Sequence, residues 1–239
     1  MQRLDQALAE RGMVESRSRA QALIMAGRVR VNDTTERRPE RTVKDADAID
    51  LDLTESWASR GALKLAPALE AFGIDPKDLV CADIGASTGG FTDLLLRRGA
   101  ARVFAVDVGK GLLDWKLRQD PRVVVMDRTN ARDLPPFREP VDLATVDVSF
   151  IGLELILPAL ARAAPRAQVV ALYKPQFEVP RADVGPGGVV TDLSLVERSL
   201  ATFRAWCESN GYQVANQAPA GLRGADGNQE HFLHLVPKP

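Results

Sequence analysis

The sequence predicts an α/β protein: a mostly parallel, seven-stranded sheet with helices on both faces, preceded by a small α-α-β module. Three observations carry this. From Arg60 onward, apolar runs of strand length alternate with stretches of helical spacing, the pattern of a parallel sheet covered on both sides. One run enters a glycine turn, Asp83-Ile84-Gly85-Ala86-Ser87-Thr88-Gly89-Gly90-Phe91, which suits a ligand corner at the carboxyl end of a strand. The composition also changes near residue 55, and what precedes it is arginine-rich with no such turn. The organisation therefore reads as a module over 1–53, a linker over 54–59 with one aromatic, Trp57, and an α/β domain over 60–239. A chain of 239 residues with an apolar share of 45% can hold one medium domain plus an appendage.

In the module, Leu4, Ala7 and Leu8 have helical spacing within Arg3–Glu10. Ser16 is placed to cap a second helix through Ala20, Leu23 and Ile24, which Gly27 stops. Val29 and Val31 alternate with Arg28 and Arg30, giving a short strand with one cationic face. Asn32-Asp33 supplies a turn, and a second β segment runs from Ala48 to Leu53. In the larger domain a helix covers Leu63–Phe72. Strands are predicted at 79–84, 102–106, 122–126, 141–147 and 168–173, and two closing strands at 212–216 and 230–236. Further helices follow Gly89 and cover 153–163 and 193–208, with a glycine- and proline-rich loop at 184–188 between the last two.

Composition excludes several classes. A net charge of −1 does not suit indiscriminate nucleic-acid binding, so RNA contact must come from a local basic face. Two cysteines and two histidines, without metal spacing, leave no zinc site or disulfide framework. No signal peptide or transmembrane run is present, so a cytoplasmic protein off the membrane is expected, a monomer in isolation.

The turn also discriminates between ligands. A dinucleotide turn reads G-x-G-x-x-G, whereas here Ser87 stands in place of the second glycine. Asp83 at the ligand edge would repel a diphosphate but attract the ammonium and sulfonium charges of S-adenosylmethionine. For the turn alone, a joint that binds nothing stays open. Asp107 ends the next strand, where an acid commonly accepts bonds from ribose hydroxyls. Asp127 ends the one after, positioned to meet an adenine amino group. Each of these acids alone also reads as a helix cap or a solvated loop charge.

Asp147-Val148-Ser149-Phe150 closes the fourth strand, where a catalytic residue would face the transferred methyl. An exocyclic-amine acceptor wants an Asn/Asp-Pro-Pro-aromatic turn there, and none is present. A pyrimidine C5 acceptor wants a thiol nucleophile, but Cys81 lies in the first strand and Cys207 in a late helix. A hydroxyl acceptor remains, and its proton must leave as the methyl arrives. Lys174, after the strand 168–173 and before Pro175, is the candidate base, since burial or a nearby cation can draw a lysine down to about 7–8. Lys64 is placed to supply that cation, with Asp147 and Glu230 orienting the two ammonium groups. In the module, Arg17 and Arg19 near a helix N-terminus, together with Arg3, Arg28 and Arg30, are candidates for RNA phosphate. A solvated charged face is the competing reading.

Two resemblances add to this. Arg3-Leu4-Asp5-x-x-Leu8, Ser16-Arg17-Ser18-Arg19-Ala20 and Ile24-x-x-Gly27-x-Val29-x-Val31-Asn32 resemble the RNA-binding domain named after the fourth small-subunit ribosomal protein, over residues 2–50. That resemblance implies docking on structured, typically ribosomal, RNA. Ser59-Arg60-Gly61-Ala62-x-Lys64-Leu65, the glycine turn through Asp93, Asp147–Ile151, Lys174-Pro175-Gln176-Phe177-Glu178 and Gly187-Gly188-Val189-Val190 are similar to the TlyA/haemolysin-A family. These are rRNA ribose 2′-O-methyltransferases with an FtsJ-like, Rossmann-like class I S-adenosylmethionine domain. The resemblance places a Lys-Asp-Lys-Glu tetrad on Lys64, Asp147, Lys174 and Glu230; the turn and the strand-end acids make Asp83, Gly85, Ala86, Ser87, Thr88, Gly89, Gly90, Phe91, Asp107 and Asp127 the candidate cofactor contacts. Thr88 stands where FtsJ-type relatives usually carry proline. The expected partners are ribosomal RNA or ribosomal subunits. The alternatives are an RNA-binding ribosome-associated factor with an inactive fold, distinguished by whether the tetrad is filled, and a haemolysin-like membrane-active protein.

Overall fold

Leu4, Ala7 and Leu8 are buried on one face of α1 (Leu4–Glu10), as their spacing requires. Ala20 and Ile24 of α2 (Arg17–Met25) join them. Ser16 O accepts the N–H of Ala20 at the start of α2, and Gly27, at φ +74°, returns its N–H to Ile24 O. β1 (Val29–Val31) buries both valines and exposes Arg30. It is the centre of an antiparallel sheet between β2 (Thr34–Glu36) and β3 (Ile49–Leu51). Asn32 and Asp33, both at positive φ, form the hairpin turn. Gln2–Arg3 also pairs with Thr42–Val43. The module is thus α-α-β with two more pairings than the sequence suggested; β2 is polar and three residues long, so no alternation announces it.

The computed structural model describes residues 2–14, 16–25, 27–51, 57–224 and 226–238, with the side chains of Arg19 and Ala22 outside the description. Two units emerge, 1–56 and 57–239; residues 54–56, half of the expected linker, and residues 52–53 of the second β segment lie outside the described residues.

The second unit runs α3 (Gly61–Phe72), β4 (Val80–Ile84), α4 (Gly90–Arg97), β5 (Arg102–Val106), α5 (Trp115–Gln119), β6 (Val123–Met126), β7 (Leu143–Val146), α6 (Leu157–Ala163), β8 (Gln168–Tyr173), α7 (Pro175–Glu178), α8 (Leu193–Ser209), β9 (Tyr212–Pro219) and β10 (His231–Pro237). The seven strands form one sheet in the order β9-β10-β8-β7-β4-β5-β6. Five are parallel and the last two add antiparallel. The period-2 pleat sorts the core: Cys81, Val103 and Leu172 face α3 and α4, while Ala82, Phe104 and Ala171 face the layer holding α6 and α8. The helix expected over 153–163 splits into a 3₁₀ turn at Leu153–Leu155 and then α6. Pro158 falls in the first turn of α6, where a missing N–H costs no helical bond, so the residue favours a fresh helix start there.

After β4 the chain moves outward through β5 and β6, then returns to β7 on the other side of β4. That reversal opens a crevice at the carboxyl ends of β4 and β7, where ligands bind in open α/β sheets.

Candidate active site

The crevice holds a cleft of about 260 Å³ bounded by the glycine turn, Asp83, Asp147, Lys64 and the approach segment Ser59–Gly61. A larger cleft of about 1210 Å³ adjoins it and shares Gly85, Ser87 and Asp147 as walls. The turn's shape follows from its residues. Gly85 sits at φ +87°, and a Cβ there would collide with the carbonyl oxygen of Asp147 on the next strand, so only glycine lets the two strand ends come this close. Ser87 is also left-handed, at φ +49°. Its N–H is held by Asp107 Oδ2 at 2.8 Å, while Asp107 Oδ1 accepts from Gly109 N at 2.7 Å. Asp107 therefore braces the turn and lines the larger cleft.

The sequence aims the Asp83 carboxylate at the ligand. The structure keeps Asp83 at the cleft wall but turns Oδ2 to the N–H and Oγ1 of Thr92 on α4, at 2.9 and 2.7 Å, and Oδ1 to Thr145 Oγ1 at 3.3 Å. Burial pushes this carboxyl up to about 7, the Thr92 hydroxyl partly opposing that, and nearby Asp147 adds to it. Asp127 differs more from expectation. It lines neither cleft, and its Oδ2 accepts from Gly111 N and Arg118 Nη1. Of the turn residues, Ala86, Thr88, Gly90 and Phe91 line the smaller cleft, whereas Gly89 packs against Leu113 and Leu117 behind it. Ser59 and Arg60 are cleft residues that the strand pattern gives no reason to select, because they belong to the segment entering the domain. That segment is anchored by Ala58 N on Asp93 Oδ2 at 2.8 Å, and Trp57 lies under the Arg97 guanidinium.

The tetrad residues meet as two ion pairs. Lys174 Nζ lies 2.5 Å from Asp147 Oδ1 and donates to Ser149 Oγ at 3.0 Å. Lys64 Nζ lies 2.6 Å from Glu230 Oε2, with Glu230 only 2% exposed. Each ammonium thus has its own carboxylate. Register explains the first pair: β7 lies between β4 and β8, so its end delivers Asp147 beside Lys174 at the end of β8. Phe150, just beyond, is 91% exposed in a left-handed conformation at φ +65°, its ring 5.1 Å from that of Phe177. Burial pushes the Cys81 and Cys207 thiols up to about 12, and neither lines a cleft, so no thiolate nucleophile faces the site.

In the module the expected phosphate ligands separate. Arg3 makes two bonds to Asp5, and Arg17 Nε donates to the same fully buried carboxylate at 3.0 Å. Both are engaged in the module's own fabric. Arg30 lies 3.9 Å from Asp50 and shares a cleft with Arg28. The side chain of Arg19 lies outside the described residues. Arg38 and Arg41 hold the buried Glu36, a cluster the sequence reading passed over because its anchor sits on the short polar strand. Among the described residues no cluster of His, Cys, Asp or Glu could hold a metal ion, and no helix is long and apolar enough to cross a membrane.

A mostly parallel sheet that reverses at a glycine turn is the fold class of S-adenosylmethionine-dependent methyltransferases. The chain belongs to the FtsJ-like methyltransferase family, whose profile matches residues 57–236, and an S4 domain matches residues 2–49. It is 48% identical over 238 residues to the 16S/23S rRNA (cytidine-2′-O)-methyltransferase TlyA of Mycobacterium tuberculosis, covering 98% of this chain and 89% of the relative. A solved hemolysin-labelled protein from Streptococcus thermophilus superposes with TM-score 0.76 at 41% identity, covering 99% of this chain and 88% of that one. The magnesium protoporphyrin IX methyltransferase of Synechocystis, solved with bound S-adenosylmethionine, shares the fold at TM-score 0.51 and 17% identity, over 75% of this chain and 79% of its own.

Proposed function

We propose that this protein transfers a methyl group from S-adenosylmethionine to a ribose 2′-hydroxyl of ribosomal RNA, on cytidine as in its curated relative, within the cytoplasm. The observation that carries the reading is the ion pair that ties Lys174, itself outside the lining of either cleft, to Asp147, which lines both. The cofactor, when bound, supplies an electrophilic methyl on a sulfonium. The residues present fit it: a turn stripped of side chain at Gly85, a buried acid at the wall in Asp83, and backbone braced by Asp107. Gly85–Thr88, Gly90, Phe91 and Asp107 would hold it. A cation beside Asp83 would draw that carboxyl back toward its charged form.

In this reading Lys174 first gives up its ammonium proton to solvent; the amine then takes the 2′-hydroxyl proton as the oxygen bonds to the methyl carbon and that carbon's bond to sulfur breaks, leaving a neutral thioether. Asp147 and Ser149 aim Nζ and then stabilise the ammonium that results. Lys64, fixed by Glu230, contributes positive charge where the oxygen becomes anionic. The exposed ring of Phe150 offers a base a stacking face next to this centre. The filled tetrad favours this reading over an inactive RNA-binding factor, and no observation favours a membrane-active one.

Isolated ribosomal subunits incubated with tritium-labelled cofactor test the proposal. Lys174→Ala is expected to abolish transfer while calorimetry still detects cofactor binding. Transfer that persists in this variant would overturn the assignment of Lys174.

A further inference from the structure

We infer that Glu178 is a positioning residue that clamps the wall of the larger cleft. This inference rests on the reading that the acceptor nucleotide occupies that cleft. Lys174 and Glu178 are the two ends of one short segment, Lys174–Glu178, and each grips the loop that follows β7. Lys174 holds the near end through Asp147 and Ser149. Glu178 holds the far end, its Oε1 accepting the N–H of Leu153 at 3.0 Å. Gly152 passes so close that a Cβ there would lie 3.3 Å from Glu178 Oε2. Phe150 projects between the two grips in the left-handed region, a conformation that persists only where the surroundings hold it. Phe150, Ile151 and Gly152 are all walls of the larger cleft.

Burial pushes the Glu178 carboxyl up to about 7, and the Leu153 N–H partly opposes that. A neutral side chain with an oxygen in the same place should therefore serve nearly as well as glutamate. Glu178 touches neither the tetrad nor the glycine turn by any bond described above, so its effect must pass through the loop it holds.

Glu178→Ala and Glu178→Gln separate the possibilities. Hydrogen exchange of the amides in 150–155 is read first, because it needs neither cofactor nor RNA. Glu178→Ala should accelerate that exchange, leave cofactor affinity unchanged, and lower kcat/KM for ribosomal RNA by about 10²-fold through misplacement of the acceptor. Glu178→Gln should match the wild type on all three. Unchanged exchange in the alanine variant overturns the clamp, as does equal impairment of both variants. Loss of cofactor affinity in the alanine variant also overturns it, since the residue would then serve the whole domain. If exchange responds as expected but the wild type transfers no methyl to RNA, the acceptor reading fails and the clamp stands.

Discussion

Both units bury carboxylates against cations, but they choose different cations. In the module, fully buried Asp5 is held by Arg3 and Arg17, and buried Glu36 by Arg38 and Arg41. At the clefts of the larger unit, Asp147 is held by Lys174 and Glu230 by Lys64. Arginine does not release its proton in proteins and grips two oxygens through a planar fork, whereas lysine is a single ammonium whose proton can leave. Arginine is therefore suited to a pair that must persist, and lysine to one that must exchange a proton. Asp93 with Arg97, away from the tetrad, follows the structural pattern within the larger unit itself. On the proposed function, the buried arginine pairs build the fold and the two lysine pairs at the clefts do chemistry.

The sharpest way to break this comparison is to exchange the cations. Lys174→Arg keeps a positive charge facing Asp147 but removes the group that accepts a proton. Methyl transfer should fall by about 10³-fold or more, in the range for loss of a general base, with cofactor affinity and melting temperature nearly unchanged. Turnover that survives the exchange would mean that charge alone suffices at this position. The mirror experiment, Asp5→Asn, should leave the chemistry of the larger unit intact. It should lower the module's unfolding midpoint by about 5 °C or more, because a buried hub of charge-assisted bonds is lost. Calorimetric scanning of the variant reads this directly.

A pH series sharpens the contrast further. Glu36 is held down to about 2, first by its bonds to Arg38, from an ordinary 4.5. The stabilisation it gives is complete above pH 4.5 and disappears as pH falls through about 2. Asp83 has the opposite sign. Its carboxyl rises from 3.8 to about 7, so between those values the folded form binds the proton and the unfolded form does not. Stability of the larger unit should then fall as pH rises across that window, with a slope of up to ~1.4 kcal/mol per pH unit from this acid. Urea titrations of the protein and of Asp83→Asn between pH 5 and 8 measure it. The asparagine variant should show the flatter dependence, and equal slopes would show that Asp83 does not titrate there.

The parts of the fold legible in the sequence are those fixed by buried, uninterrupted runs. β5 and β8 match their expected ranges of 102–106 and 168–173 because each is an apolar run between turn signals. The seven-strand sheet and its mostly parallel order follow from alternation. The polar β2 and the split ahead of α6 escaped because a three-residue strand has no period and a proline at a helix start leaves the apolar spacing of 153–163 unbroken. At the site, residue types at strand ends pointed to Lys174, Asp147 and Asp107. The turning of Asp83 toward Thr92, the bond from Lys174 to Ser149 and the grip of Glu178 on Leu153 depend on how segments meet. Spacing along the chain does not encode those meetings. The arginines show the same limit: their charge was visible, but the commitment of Arg3 and Arg17 to one buried aspartate was not.

That commitment leads to the smallest effect and the finest division within the module. Arg17 is tied at 3.0 Å to Asp5, whereas Arg30 stands 3.9 Å from an exposed Asp50 with more than half of its side chain open. An arginine held loosely can exchange its partner for phosphate at little cost, since exposed pairs contribute only about 0–1 kcal/mol. Arg30→Ala should therefore weaken binding to ribosomal RNA severalfold and reduce the slope of log affinity against log salt by about 1, with no change in melting temperature. Arg17→Ala should lower the melting temperature first. Filter binding over a salt series, run beside thermal scans of both variants, compares them. If Arg17→Ala weakens RNA binding at constant stability while Arg30→Ala does nothing, the tied arginines are the ones that meet RNA, and loose pairing is no guide to which cations bind it.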